Sequence, residues 1–118
     1  MIKSYTMLKL NNPNISDEAI KKRWVEQHAP VAVKNIPEML KYVINMPIRI
    51  PEYKWELFGL NEMYWKSEES YRNYLKWRET PAADELKADE REFSESCKVG
   101  LFARFLGREY VIKDFDDK

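Results

Sequence analysis

Apolar and polar residues recur along the chain in blocks that predict six main elements. Residues 3–10, KSYTMLKL, form a strand-like run around Tyr5, Thr6, Met7 and Leu8. Asn11-Asn12-Pro13-Asn14 breaks it. Ser16 is placed to cap a helix, with Asp17 and Glu18 in the first turn where the macrodipole favours acids. Ile20, Trp24 and His28 then recur at every fourth residue. Each such step rotates an α-helix by about 40°, so the three share one inward stripe, while Lys21, Lys22, Arg23 and Glu26 fall mostly toward solvent. Pro30 cannot donate to the Glu26 carbonyl and its ring crowds that turn. The helix is therefore expected to kink or end near His28 and to be able to resume through residues 31–35. A kink beside a polar side chain opens space there.

Ile36-Pro37 stops the helix, and residues 40–46 (LKYVINM) predict a second strand. Residues 47–54, with Pro47 and Pro51, read as an irregular loop. Residues 55–65 (WELFGLNEMYW) read as a third strand, in which Gly59 marks a bulge or a close approach. By alternation Leu60, Glu62 and Tyr64 share one face, and Gly59, Asn61, Met63 and Trp65 the other. Ser67 starts a helix with Glu68 and Glu69, followed by Tyr71, Tyr74, Leu75 and Arg78 at helical spacing. Thr80-Pro81 breaks it, and residues 82–93 predict a shorter, highly charged helix. Residues 99–113 hold Leu101, Phe102 and Phe105 and a final strand near Tyr110-Val111-Ile112; a polar tail follows. The order strand, helix, strand, strand, helix, strand is the α+β ferredoxin-like split βαβ pattern, a four-stranded antiparallel sheet with its helices on one face. The strands carry apolar residues on both sides, so the other face needs a cover too. A second copy of the chain is the simplest one, which makes a homodimer the expectation.

At 118 residues the chain suits a single domain spanning 1–118, and 44% hydrophobic residues suffice for one core. Lys+Arg and Asp+Glu balance at 20 each and no basic cluster stands out, so no long-range field gathers nucleic acid or an anionic membrane. Cys97 is the only cysteine, which excludes an internal disulfide and fits a reducing compartment. No leader-like run opens the chain, and no apolar run approaches the roughly 20 residues that span a bilayer. A cytoplasmic location is the expectation.

Composition also removes several chemistries. The 3 glycines are isolated, so there is no phosphate-cradling loop. One His and one Cys cannot close a zinc site, and no metal is expected. No GxSxG elbow is present. What remains is His28. It is either a core-edge histidine satisfied by a carbonyl, or an imidazole that moves protons near neutrality. Tyr5, Tyr42, Asn45, Asn61, Glu62 and Tyr64 are the polar strand groups within plausible reach. Asn61 can donate to a developing oxyanion or be a bulge amide. Glu62 can orient His28 or face solvent. The carboxylates of residues 84–95 read as a solvated helical face, and Cys97 as an inert thiol. Aromatic residues at 14%, with 4 Trp and 7 Tyr, serve a bulky core, a pocket for a flat apolar ligand, or both.

Taken together, Trp24-x-x-x-His28-x-Pro30, then Pro37, then Lys41-Tyr42-Val43, Gly59-Leu60-Asn61-Glu62-Met63-Tyr64-Trp65 and Asp89-Glu90-x-x-Phe93 resemble the EthD-type family of dimeric α/β-barrel proteins over about residues 3–113. The resemblance implies a homodimer whose sheets pack into one barrel, with a pocket in each subunit between sheet and helices. It implies His28 as the acid/base, with Trp24, Tyr42, Asn61, Met63 and Trp65 around the pocket; Tyr5 joins them as a strand aromatic. Lactone isomerases, polyketide cyclases and fungal decarboxylases or dehydratases are among the family's members. The implied function is a cofactor-free lyase or isomerase of aromatic metabolism, acting on a small cyclic or aromatic molecule with Asn61 steadying the oxyanion. The alternatives are a non-catalytic small-molecule binder and, through His28, a haem binder. Two departures stand out: Glu38 occupies a turn position where the family often has Gly, and Met63 offers no second titrating group on its strand.

Overall fold

The strand that opens the chain becomes the centre of the sheet. In this computed structural model, which describes residues 2–12, 14–53 and 57–115, β1 (Ile2–Leu10) pairs antiparallel with β3 (Leu57–Trp65) on one side and with β4 (Val99–Arg108) on the other. The short β2 (Lys41–Asn45) pairs with β3, giving the order β2-β3-β1-β4. Helices α1 (residues 17–35), α2 (Glu68–Trp77) and α3 (Asp84–Cys97), the last entered through a 3-10 turn at Pro81–Ala83, cover one face. This is the ferredoxin-like arrangement that the element order predicts.

Register decides which residues face the helices. Ile2 pairs with Trp65, Ser4 with Met63 and Thr6 with Asn61, so these alternate residues point to the helical side. Lys3, Tyr5, Glu62, Tyr64 and Phe105 point to the open side. There Tyr5 stacks on Phe105 at 4.7 Å, and Lys3 is buried against Glu62 at 3.5 Å and Glu109 at 2.6 Å. One residue too many on β3 between the partners of Leu8 and Lys9 makes a bulge that tucks Phe58 fully into the core. Gly59 beside it has φ +154°, and a Cβ there would lie 2.5 Å from Trp24 Cζ3 and 2.8 Å from the Asn45 carbonyl oxygen. Both the backbone and the indole require glycine.

One expectation needs correction and another is decided between its alternatives. The last strand is Val99–Arg108, and Tyr110, Val111 and Ile112 lie beyond it, exposed. Of the two outcomes expected near His28, an end or a disturbance from which the helix resumes, the first helix shows the second. Capped by Ser16 Oγ on the Ala19 N–H at 3.1 Å, it runs α-helical over Asp17–Lys21, π-helical over Lys22–His28 and α-helical again over Ala29–Asn35. Ala29 N–H bonds the Trp24 carbonyl, five residues back. Pro30 supplies no N–H to Glu26, and the wider turn reassigns the carbonyls around it. The π turn also realigns the side chains. Ile20, Trp24, His28, Ala32 and Ile36 are all buried, although in a pure α-helix five residues spaced by four would sweep about 160°. More than four residues per turn returns the stripe to the core. Trp55, which begins the expected third strand, lies outside the described residues.

The core falls into two apolar clusters. Ile2, Ala32, Ile36, Met63, Trp65, Tyr74 and Leu86 form one, and Ile20, Trp24, Phe58, Phe93, Cys97 and Val99 the other.

Candidate active site

A hollow lies between the two clusters. Its larger lobe, about 190 Å³, is lined by Thr6, Trp24, His28, Asn61, Glu90, Phe93 and Arg104 among others. A smaller lobe of about 50 Å³ shares Thr6, His28, Asn61, Glu90 and Arg104 and continues toward Tyr42, Met63, Tyr74 and Leu86. The sheet supplies the floor, with Asn61, Thr6 and Arg104 side by side on one rung across β3, β1 and β4. Helices α1 and α3 supply the walls.

His28 sits on the π-helical turn, buried, with its ring 5.1 Å from that of Phe93. Its Nδ1 lies 2.5 Å from Asp89 Oδ2 on α3. Arg23, one π turn earlier on α1, donates from Nη2 to Asp89 Oδ1 at 3.0 Å and to the Asp89 carbonyl at 3.2 Å. Its Nε reaches Glu92 at 2.8 Å, and Nη2 contacts the same carboxylate. Burial works to raise the Asp89 carboxyl, but the His28 and Arg23 hydrogen bonds and the Arg23 charge outweigh it and hold the carboxyl below its ordinary 3.8. An ionised carboxylate only accepts, so Nδ1 carries the proton that it receives. In neutral imidazole that leaves the lone pair on Nε2, which makes no hydrogen bond among the described residues. The pair has the geometry of an imidazole oriented by a carboxylate.

The other polar groups are held or left open in a definite pattern. Arg78 grips Glu90 with two bonds, 2.7 and 3.0 Å, and also reaches the Tyr74 hydroxyl at 3.1 Å. Burial pushes the Tyr42 and Tyr74 phenols above their ordinary 10, so both stay neutral at neutral pH. Asn61 Oδ1 is buried without a partner, and its Nδ2 makes no hydrogen bond among the described residues. A buried amide left this way costs about 1–3 kcal/mol, which a stability-driven sequence would shed.

No family model matches the chain, and no curated protein does. Solved structures do match. An EthD family protein from Bacillus halodurans aligns over 93% of this chain and 99% of its own with 19% identity and a TM-score of 0.65. An EthD-like protein from Ralstonia eutropha aligns over 95% and 94% with 10% identity and a TM-score of 0.69. A dimeric protein of unknown function and ferredoxin-like fold from Bacteroides fragilis covers 90% and 91% with 13% identity and a TM-score of 0.54.

The chain shares its ferredoxin-like fold with these proteins. Within that frame the structure gathers some expected residues and not others. His28, Asn61 and Trp24 meet at the larger lobe, and Tyr42 and Met63 line the smaller. Trp65 does not line the hollow. It is fully buried beside Tyr71 and Tyr74, its Nε1 donating to Ser4 Oγ at 2.9 Å, because its place at the end of β3 puts it under α2. Tyr5 does not line it either, since its odd register on β1 turns it to the open face. Glu62, for the same reason, pairs with Lys3 and cannot orient His28. The carboxylate that does so, Asp89, lies in the charged run read as solvated. A signal was present there: Leu86, Asp89, Phe93 and Cys97 recur at helical spacing, one acid among apolar residues. Among the described residues no helix is long and apolar enough to cross a membrane, and no cluster of ligating side chains could hold a metal ion.

Proposed function

We propose that the chain is a cofactor-free lyase or isomerase acting on a small cyclic or aromatic molecule, as a homodimer. The observation that carries this reading is the His28–Asp89 pair at the wall of a hollow that also holds an uncommitted amide, Asn61. Neutral Nε2 takes a proton from an acidic carbon or hydroxyl of the bound molecule. Asp89 stabilises the imidazolium that results, and the Asn61 amide donates to the oxyanion or enolate as charge develops. The same imidazolium returns the proton to another atom of the substrate or to a leaving oxygen, so no redox partner is needed. The volume favours a compact guest. An engineered cavity of roughly 150 Å³ holds benzene, so about 190 Å³ accepts one ring with substituents. A tetrapyrrole is much larger, which weighs against the haem reading. The homodimer is supported by the aromatic open face of the sheet and by the dimeric description of the Bacteroides fragilis protein.

The test is deuterium wash-in from heavy water into one-ring enolisable ketones and lactones, with product formation followed in parallel. His28→Gln should lower the rate by about 10²–10⁴ while leaving circular dichroism and oligomeric state unchanged. Undiminished exchange in that variant would sink the acid/base role. Retained ligands with no exchange in either protein would leave the binder reading.

A further inference from the structure

We propose that Arg104 is an anion anchor for the ligand, so that the molecule held in the hollow is a one-ring compound bearing a carboxylate or a comparable oxyanion. This rests on the hollow being the ligand site, as the proposed function has it. Every carboxylate at the site already has its own arginine. Asp89 is held by Arg23, and Glu90 is gripped by two bonds from Arg78. Arg104 is the cation left over. It lines both lobes, is exposed, and among the described residues makes no hydrogen bond or ion pair. Glu90 lines the same lobes, but its carboxylate is already paired with Arg78, so Arg104 has no carboxylate of its own.

Position adds direction. Thr6 pairs with Asn61 on β3 and with Arg104 on β4, so the guanidinium stands on the same rung as the orphaned amide, one strand beyond Thr6. A ring lying on Thr6 with His28 above it would present one polar end to Asn61 and the other to Arg104. A planar fork of N–H donors matches a carboxylate with two parallel bonds, and such charge-assisted bonds are about twice as strong as neutral ones. Arg104 has no competing cation at the smaller lobe, since Arg78 beside it is committed to Glu90 and Tyr74. The anion therefore sits at the Arg104 end and the apolar part toward Trp24 and Phe93.

The experiment is a titration of the full chain with salicylate and with its uncharged amide, salicylamide. Binding is followed by calorimetry and by the NMR signals of the Trp24 indole and of His28, which as the only histidine is an unambiguous reporter. Salicylate should bind the wild type on the order of tenfold more tightly than salicylamide. Arg104→Gln should erase that preference with salicylamide affinity unchanged, and Arg104→Lys should keep part of it. Arg108→Gln, on the same strand but outside the lining, should leave it intact. Equal binding of the two probes by the wild type, a preference that survives Arg104→Gln, or an equal loss in Arg108→Gln overturns the assignment. If neither probe moves the Trp24 and His28 signals, the hollow is not a one-ring site and the proposed function falls with it. Loss of the charge preference alongside intact His28-dependent exchange removes only the role of Arg104.

Discussion

His28 is the residue that the sequence singles out, but its chemistry is set by a partner 61 positions away. Asp89 fixes which ring nitrogen holds the proton, and Arg23 keeps Asp89 ionised against the pull of burial. This gives a signed expectation for acid. A carboxyl whose folded pKa lies below its ordinary 3.8 binds protons less readily folded than unfolded. Its stabilising contribution is complete above that ordinary value and is lost as pH falls through the folded one. Urea unfolding of wild type and Asp89→Asn should therefore differ clearly at about pH 5 and converge as pH falls below about 4. A gap undiminished at about pH 3 contradicts the assignment. The imidazole was legible because it stands alone in the composition. Its carboxylate was not, because in residues 84–95 acids and bases alternate so densely that one inward acid looks like the rest. Tyr5 and Trp65 were misplaced for a different reason: aromatic identity marks burial without saying which side of a sheet, or which end of a strand, does the burying.

At the level of elements, alternation in β3 was read correctly down to the face of each residue from Gly59 to Trp65, since a period of two survives whatever packs on it. One misplaced strand and one unforeseen π turn came from what pairing and bonding add to propensity. Tyr110, Val111 and Ile112 have strong strand preference, but β1 is already spent on Val99–Arg108, with Ile2 opposite Arg108, and no described strand remains to receive them. The π-helical stretch was hidden because proline signals a break more often than a widened turn. Its clue is the strict spacing of four from Ile20 to Ile36, which an α-helix could not keep buried. Gly59 is where helix and sheet constrain each other most tightly. Gly59→Ala should cost about 2–4 kcal/mol, from left-handed strain plus overpacking against Trp24. Chemical denaturation reads this directly, and an unchanged midpoint would mean that the indole yields freely.

For the whole molecule, the ferredoxin-like layout followed from element order alone, and only one side of its sheet is roofed by helices. On the bare side Tyr5 and Phe105 stack, and the buried Lys3 is pinned by Glu62 and Glu109, which leaves an aromatic pair on a face no helix covers. Phe105→Arg should turn a sedimenting dimer into a folded monomer with unchanged circular dichroism. A wild type that sediments as a monomer, or a variant that sediments like the wild type, removes the dimer from the proposal. How the sheet chooses a partner was legible only as a need for cover, because apolar residues on both faces of a strand say that something must lie there and not what. The parted core has one further bearing. With the Ile2–Trp65–Leu86 group on one flank and the Ile20–Trp24–Phe58 group on the other, rigidity resides in the banks and the polar channel between them is spared from holding the chain together. Such a division leaves descendants of this chain at liberty to exchange one guest for another by altering a few bordering side chains, with neither bank obliged to rebuild.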